Sequence, residues 1–321
     1  MNDRKTYKAF GLRVLSDFEL DVLEPLNDHL DKVDLHIRRV EGLIRNRNRP
    51  SDPWFEFTPQ TQYMYWHAIG AYLIQDDANI LVDPLPGSSD HLVSQALLGL
   101  VMSLVLERRK LLCLHAGAIE VDARAVVLLG DKGAGKSTTS AAMMSVGYRP
   151  ITDDLVAVDV PLDRKLPPSI RPGFSSLKLW PDSLAALQLP SSGKDRLVHP
   201  KSDKVQKRMP GKMPEDDTVL GAAFVLRRSP HLSEPIATKL APHDALQNLL
   251  RYTFMARYGE TQLGQDHLVL HMKRCAALAA MVSVYILEYP DDLTQLGAVV
   301  ETICEHTSEN SLLHQHDHLF V

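Results

Sequence analysis

The chain has 321 residues, of which 45% are hydrophobic and 23% charged, with a net charge of −5. This is the composition of a folded globular protein with room for two domains, and nothing in its acidic balance suggests nucleic acid. Three cysteines, Cys113, Cys275 and Cys304, contain no Cys-x-x-Cys pair. That argues against a disulfide framework or a zinc site and for buried thiols in a reducing, cytoplasmic setting.

The first 17 residues hold no apolar run of signal-peptide length. Residues 1–105 read as a smaller β-rich domain. "YKAFGLRVLS", "KVDLHIRRV", "WFEFT", "YMYWHAI", "AYLIQD" and "ANILVD" are short β-prone runs divided by Asn, Asp, Pro and Gly. Ser88, Ser89 or Asp90 is placed to cap the apolar helix that follows, Leu92 to Glu107. That run is shorter than a membrane span and contains Ser94 and Gln95, so a buried helix is expected.

Residues 106–321 change pattern and read as α/β. "LLCLHAGAIEV" and "RAVVLLG" are expected strands, "ITDDLVAVDV" and "LGAAFVLRR" are two more, and "SVYILEYP" is the last. Between them lie helical stretches beginning near Thr138, Pro181, Pro242, Gln265 and Asp291. Residues 194–212 carry seven Lys/Arg against two Asp, with Pro200, Pro210 and Gly211, and read as a basic loop able to act as a lid. The tail histidines His314, His316 and His318 are expected to bind metal adventitiously at most.

The chemistry concentrates after Leu129. Gly130, Asp131, Lys132, Gly133, Ala134, Gly135, Lys136 and Ser137 match G-x-x-x-x-G-K-[ST], and with Thr138, which opens the next helix, they are the expected nucleotide-binding residues. Glycines let backbone N–H groups turn inward around phosphate, and the helix N-terminus adds its positive end. Lys136 is expected at the β/γ-phosphates of ATP and the Ser137 hydroxyl on Mg²⁺. Asp153 and Asp154 follow Lys136 by 17 and 18 residues. Neighbouring strand residues face opposite sides, so both reach one site only at a strand end or bend. One carboxylate would hold the metal and the other would accept a proton from the acceptor. His115 ends the strand before the loop strand, and the small residues Ala116 and Gly117 after it permit close approach.

His115 through Asp159 resembles the catalytic core of the HPr kinase/phosphorylase family, with a histidine segment, a phosphate loop and an aspartate pair in sequence. The resemblance implies a P-loop kinase core of the HPr kinase C-terminal type, with Lys136 as the loop lysine, Asp153 as the proton acceptor, Asp154 as its metal-side neighbour and His115 assisting. The family's Gly-rich signature loop, which serves the protein substrate and the reverse reaction, has no counterpart here. "YKAFGLRVLSDFEL", "LHAGAIEV" and "LKLWPDSLAAL" instead resemble the HPr-kinase-like proteins of lasso-peptide and related ribosomal-peptide clusters. This implies an ATP-dependent serine kinase acting on the C-terminal serine of a precursor peptide, with the 1–105 domain in recognition or docking. An HPr-type or small-alcohol kinase and a non-catalytic nucleotide-sensing, peptide-binding module remain open. Lys178, Arg196, Lys204 and Lys207 are candidate cations for the transferring group. No nucleic acid or membrane partner is expected, and the oligomeric state, a homo-oligomer included, is open.

Overall fold

Chain contacts fall into two units, Met1–Cys113 with Phe254–His271, and Leu114–Thr253 with Met272–Val321. The sequence division at 105/106 does not anticipate that residues 254–271 group with the N-terminal half. The computed structural model describes residues 4–26, 32–44, 53–191, 195–198, 202–208, 212–257 and 264–317.

The first unit holds a seven-stranded sheet in the order β1-β2-β3-β7-β6-β5-β4. Its strands are β1 (Lys5–Ala9), β2 (Leu12–Ser16), β3 (Leu35–Arg39), β4 (Trp54–Phe57), β5 (Gln62–Trp66), β6 (Gly70–Ile74) and β7 (Asn79–Pro84). The run "YKAFGLRVLS" is a hairpin rather than one strand. Phe10 and Gly11 both take positive φ (53° and 74°), the two-residue turn whose twist matches the flanking strands. The apolar helix is α1 (Asp90–Ala96), a π-helical segment (Leu97–Val101) and α2 (Met102–Arg108). Ser89 caps it, accepting from the Leu92 N–H at 3.3 Å. Non-helical angles at Gly99 (φ −104°, ψ −108°) kink it, as glycine permits. Its 19 residues are long and apolar enough to cross a membrane, but 61% of the apolar window is buried inside the protein, as a core helix would be.

The second unit begins at the end of β8 (Leu112–Leu114) and continues through β9 (Gly117–Val121), β10 (Arg124–Leu129), α3 (Lys136–Ser145), β11 (Arg149–Thr152), β12 (Val156–Asp159), β13 (Ser169–Arg171), β14 (Ser176–Leu179) and α4 (Pro181–Ala186). Then come β15 (Arg196–Leu197), β16 (Val205–Arg208), β17 (Thr218–Arg228), β18 (Ile236–Lys239), α5 (Pro242–Arg251), α6 (Gln265–Met281, straddling the division), β19 (Ser283–Tyr289) and α7 (Leu296–Asp317). The main sheet runs β11-β9-β10-β17-β13-β12, with β19 on β17 and β18 on β19. β10, β17 and β19 are parallel, and their apolar runs are buried as sheet-centre strands require. Val126, Leu128, Phe224, Leu226 and Leu287 pack with Met143 of α3 and Val299 and Ile303 of α7.

The structure departs from the sequence expectation at three places. "LLCLHAGAIEV" is two strands interrupted at His115–Ala116, and "ITDDLVAVDV" is two strands interrupted at Asp153–Leu155. The described part of 194–212 is not loop alone. It contributes the β15–β16 hairpin to a small sheet in the order β14-β16-β15. Cys113 and Cys275 are buried, as expected, while Cys304 is only partly buried.

Candidate active site

The loop after β10 has the backbone that its sequence requires. Gly130, Gly133 and Gly135 take φ of 149°, 88° and 94°. A Cβ on Gly130 would stand 2.9 Å from the Ala134 Cβ and 3.0 Å from the Leu226 carbonyl oxygen. One on Gly135 would collide with the Tyr289 hydroxyl, which donates to the Ala134 carbonyl and braces the loop from β19. Asp131 is held from outside by Arg251 at 2.8 Å. The Lys136 ammonium donates to the carbonyls of Gly130 (2.6 Å) and Asp131 (3.2 Å), folded against the loop that it would leave for phosphate. Thr138 instead bonds Ser183 on α4 at 2.9 Å.

The aspartate pair sits at a bend. Leu155 N–H donates to the Asp153 carbonyl at 2.8 Å, and the Thr152 hydroxyl donates to the Leu155 carbonyl at 2.9 Å, closing a tight reversal. Asp154 takes φ 68°, uncommon for a residue with a side chain. The reversal breaks strand alternation and brings both carboxylates beside the loop.

The two carboxylates have different surroundings. Asp153 is 4% exposed and accepts from the Ser137 hydroxyl at 3.3 Å. Burial, and then the charge of Asp154, push it up to about 7, with Lys178 opposing. Asp154 is partly exposed and pairs with the Lys178 ammonium at 2.6 Å. His115 Nδ1 lies 3.0 Å from the Asp154 carbonyl oxygen and 3.3 Å from its Oδ1. A carbonyl oxygen only accepts, so Nδ1 carries the hydrogen. The His115 backbone N–H donates to the Tyr252 carbonyl at 2.7 Å, fixing the break between β8 and β9. Next to it, a Cβ on Gly117 would stand 2.9 Å from Ser140 Oγ and 3.2 Å from Asp153 Oδ1. The small residue is needed for that close approach.

Ser137 Oγ and Asp153 Oδ2 form a pair of hard oxygen donors at the N-terminus of α3, the donor chemistry that Mg²⁺ takes. His115, Ser137, Asp153, Asp154 and Lys178 thus gather at one place, and Lys136 lies one residue away in the loop. Among the basic candidates, Lys207 does not join them. It is 5% exposed, paired with Asp195 at 3.0 Å and donating to the Pro190 carbonyl. Lys204 does: burial lowers its affinity for a proton, the charges of Asp154 and then Asp153 oppose this, and Lys178 and Lys132 add smaller lowering effects. Trp180, whose ring centroid lies 5.2 Å from the Lys204 ammonium, was not singled out by the sequence. Nor was Tyr289. Among the described residues no group of three or more His, Cys, Asp or Glu could hold a metal. His318 and the side chains of His314 and His316 lie outside the described residues.

No protein-family model matches the chain, and no curated protein matches it. Among solved structures it is similar to the HPr(Ser) kinase/phosphatase from Coxiella burnetii, with 12% identity over 65% of this chain and 97% of that one, at a TM-score of 0.34. At that score the residues of the site, rather than the likeness, carry the functional argument.

Proposed function

We propose that the chain is an ATP- and Mg²⁺-dependent kinase that phosphorylates a serine hydroxyl, with the C-terminal serine of a precursor peptide as acceptor. The observation that carries this reading is the Asp153–Asp154 bend beside the phosphate loop, with one carboxylate on Ser137 and the other on Lys178 and His115. Phosphoryl transfer asks for phosphate positioning, charge neutralisation and a base at the acceptor oxygen, and these residues match those needs.

Loop N–H groups, Lys136 and the α3 N-terminus bind the phosphates. Ser137 and Asp153 would hold Mg²⁺, which when bound neutralises charge on the phosphates. Asp154 accepts the acceptor proton, because it is the carboxylate that an acceptor can approach, and His115 Nδ1–H orients it. This exchanges the roles that the sequence resemblance implied for the two aspartates. Contact with Ser137 and near-complete burial favour Asp153 as the metal-side residue.

The peptide acceptor is tested with γ-labelled ATP and a pair of serine-ended peptides, one acid and one amide. A raised KM for the amide supports a terminal serine held through its carboxylate. Equal kinetics for the two, or transfer only to an internal serine of a folded carrier, refutes it.

A further inference from the structure

The small sheet decides which basic residue of the 194–212 segment reaches the site. β14 and β16 are antiparallel, with Lys178 opposite Gln206 and Leu179 opposite Val205. One further step along that register brings Trp180 opposite Lys204. Side chains alternate across a strand, so Lys178, Trp180, Lys204 and Gln206 share one face and Leu177, Leu179, Val205 and Lys207 share the other. Contacts on both faces agree. Leu177 and Leu179 pack with Ala141 of α3, and Lys207 is locked to Asp195 and Pro190. On the first face Lys178 meets Asp154, and Lys204 lies over the Trp180 ring.

The ammonium groups of Lys178, Lys136 and Lys204 differ in how they are held. Lys178 is engaged by a carboxylate, and Lys136 by two loop carbonyls. Lys204 rests on an aromatic face at 5.2 Å, a contact that yields readily to an anion. It does so half-buried, within reach of the charges of Asp154 and Asp153, with Lys178 and Lys132 opposing them more weakly. Lys204 immediately precedes β16 at the connecting end of the β15–β16 pair, its carbonyl accepting from the Val198 N–H at 2.9 Å.

We propose that Lys204 is the cation of the transferring phosphoryl group: it leaves the Trp180 face when a nucleoside triphosphate binds and contacts the γ-phosphate during transfer. The inference rests on the kinase reading of the site. It assigns the hairpin a catalytic task and makes Trp180 the resting place of the catalytic lysine.

Trp180 is 43% exposed, so its emission can report the movement without any acceptor. Emission would be recorded for the wild type and Trp180→Phe, whose difference isolates Trp180, during titration with Mg²⁺ and either ADP or a non-hydrolysable ATP analogue. The triphosphate analogue is expected to change the Trp180 signal and ADP to change it little. Lys204→Met should remove the difference while binding of both nucleotides, followed by calorimetry, stays within a few-fold, and Lys204→Arg should restore part of it. In transfer assays Lys204→Met should lower kcat by ~10²-fold or more, with nucleotide affinity nearly unchanged. Nucleotide binding with an equal response to ADP and the analogue, or a response unaltered in Lys204→Met, overturns the assignment of Lys204 alone. A response that appears only on adding an acid-ended acceptor moves Lys204 to the acceptor carboxylate and overturns it as well. Failure of the folded protein to bind either nucleotide overturns the kinase reading itself.

Discussion

The Ser137 hydroxyl donates to Asp153 Oδ2 at 3.3 Å, joining the first turn of α3 to the break between β11 and β12. Through this contact the phosphate loop and the aspartate pair, separate motifs in the sequence, become one site. It also separates the two aspartates chemically, because Asp154 points instead to Lys178 and His115.

Exchanging each aspartate for asparagine should therefore give different defects. Asp154→Asn should lower the transfer rate by ~10²–10⁴, the range for a lost general base, with nucleotide affinity within a few-fold. Asp153→Asn should instead raise the Mg²⁺ concentration needed for half-maximal rate. Steady-state kinetics over an Mg²⁺ series distinguishes them, and exchanged phenotypes would return the base role to Asp153.

Asp153 also sets a pH dependence. Its pKa is raised to about 7, so below that pH the metal-free protein holds a proton that Mg²⁺ must displace. Apparent Mg²⁺ affinity in the presence of nucleotide should fall by about tenfold per pH unit below 7 and level off above it. In the metal-free protein the sign is opposite. A raised folded-state pKa favours the native state at low pH, and that contribution is lost as pH rises through about 7. Calorimetric titrations from pH 5.5 to 8.5 check the first statement, and denaturation midpoints without metal check the second.

Lys136→Ala should abolish transfer and weaken triphosphate binding by more than tenfold, while leaving the fold intact. Its ammonium donates to the Gly130 and Asp131 carbonyls of its own loop. Nucleotide titration with a circular-dichroism control checks it.

Gly117→Ala tests the close approach of β9. The added methyl would meet Ser140 Oγ at 2.9 Å and Asp153 Oδ1 at 3.2 Å. A stability loss of ~1–3 kcal/mol is expected from overpacking, together with a raised Mg²⁺ requirement as Asp153 is displaced. Ser140→Ala in the same chain should recover part of the stability. Urea denaturation of the single and double variants measures both effects.

Much of this site was legible in the sequence. The glycines from Gly130 to Gly135 fix their own backbone locally, so the loop follows from its residues. A strand end or bend at Asp153–Asp154 was legible too, since within a strand alternation points adjacent carboxylates to opposite faces. What was not legible depends on pairing across the chain. No local signal says that β14 pairs with β16, so nothing in the sequence distinguished Lys204 from Lys207 or marked Trp180. Tyr289 lies 155 residues from the loop carbonyl that it braces, and the roles of the two aspartates turn on which one finds Ser137. The grouping of residues 254–271 with the first half is likewise a tertiary fact.

The central claim is that this site transfers a phosphoryl group to a serine hydroxyl with Asp154 as the base. Single-turnover reaction of γ-labelled ATP and Mg²⁺ with a serine-ended peptide, in the wild type and in Asp154→Asn, tests it most directly. The account predicts label on the peptide serine in step with ADP release in the wild type, and a rate lower by ~10²–10⁴ in the variant with nucleotide still bound. ADP release with all label in inorganic phosphate, or transfer at an undiminished rate in Asp154→Asn, would contradict it.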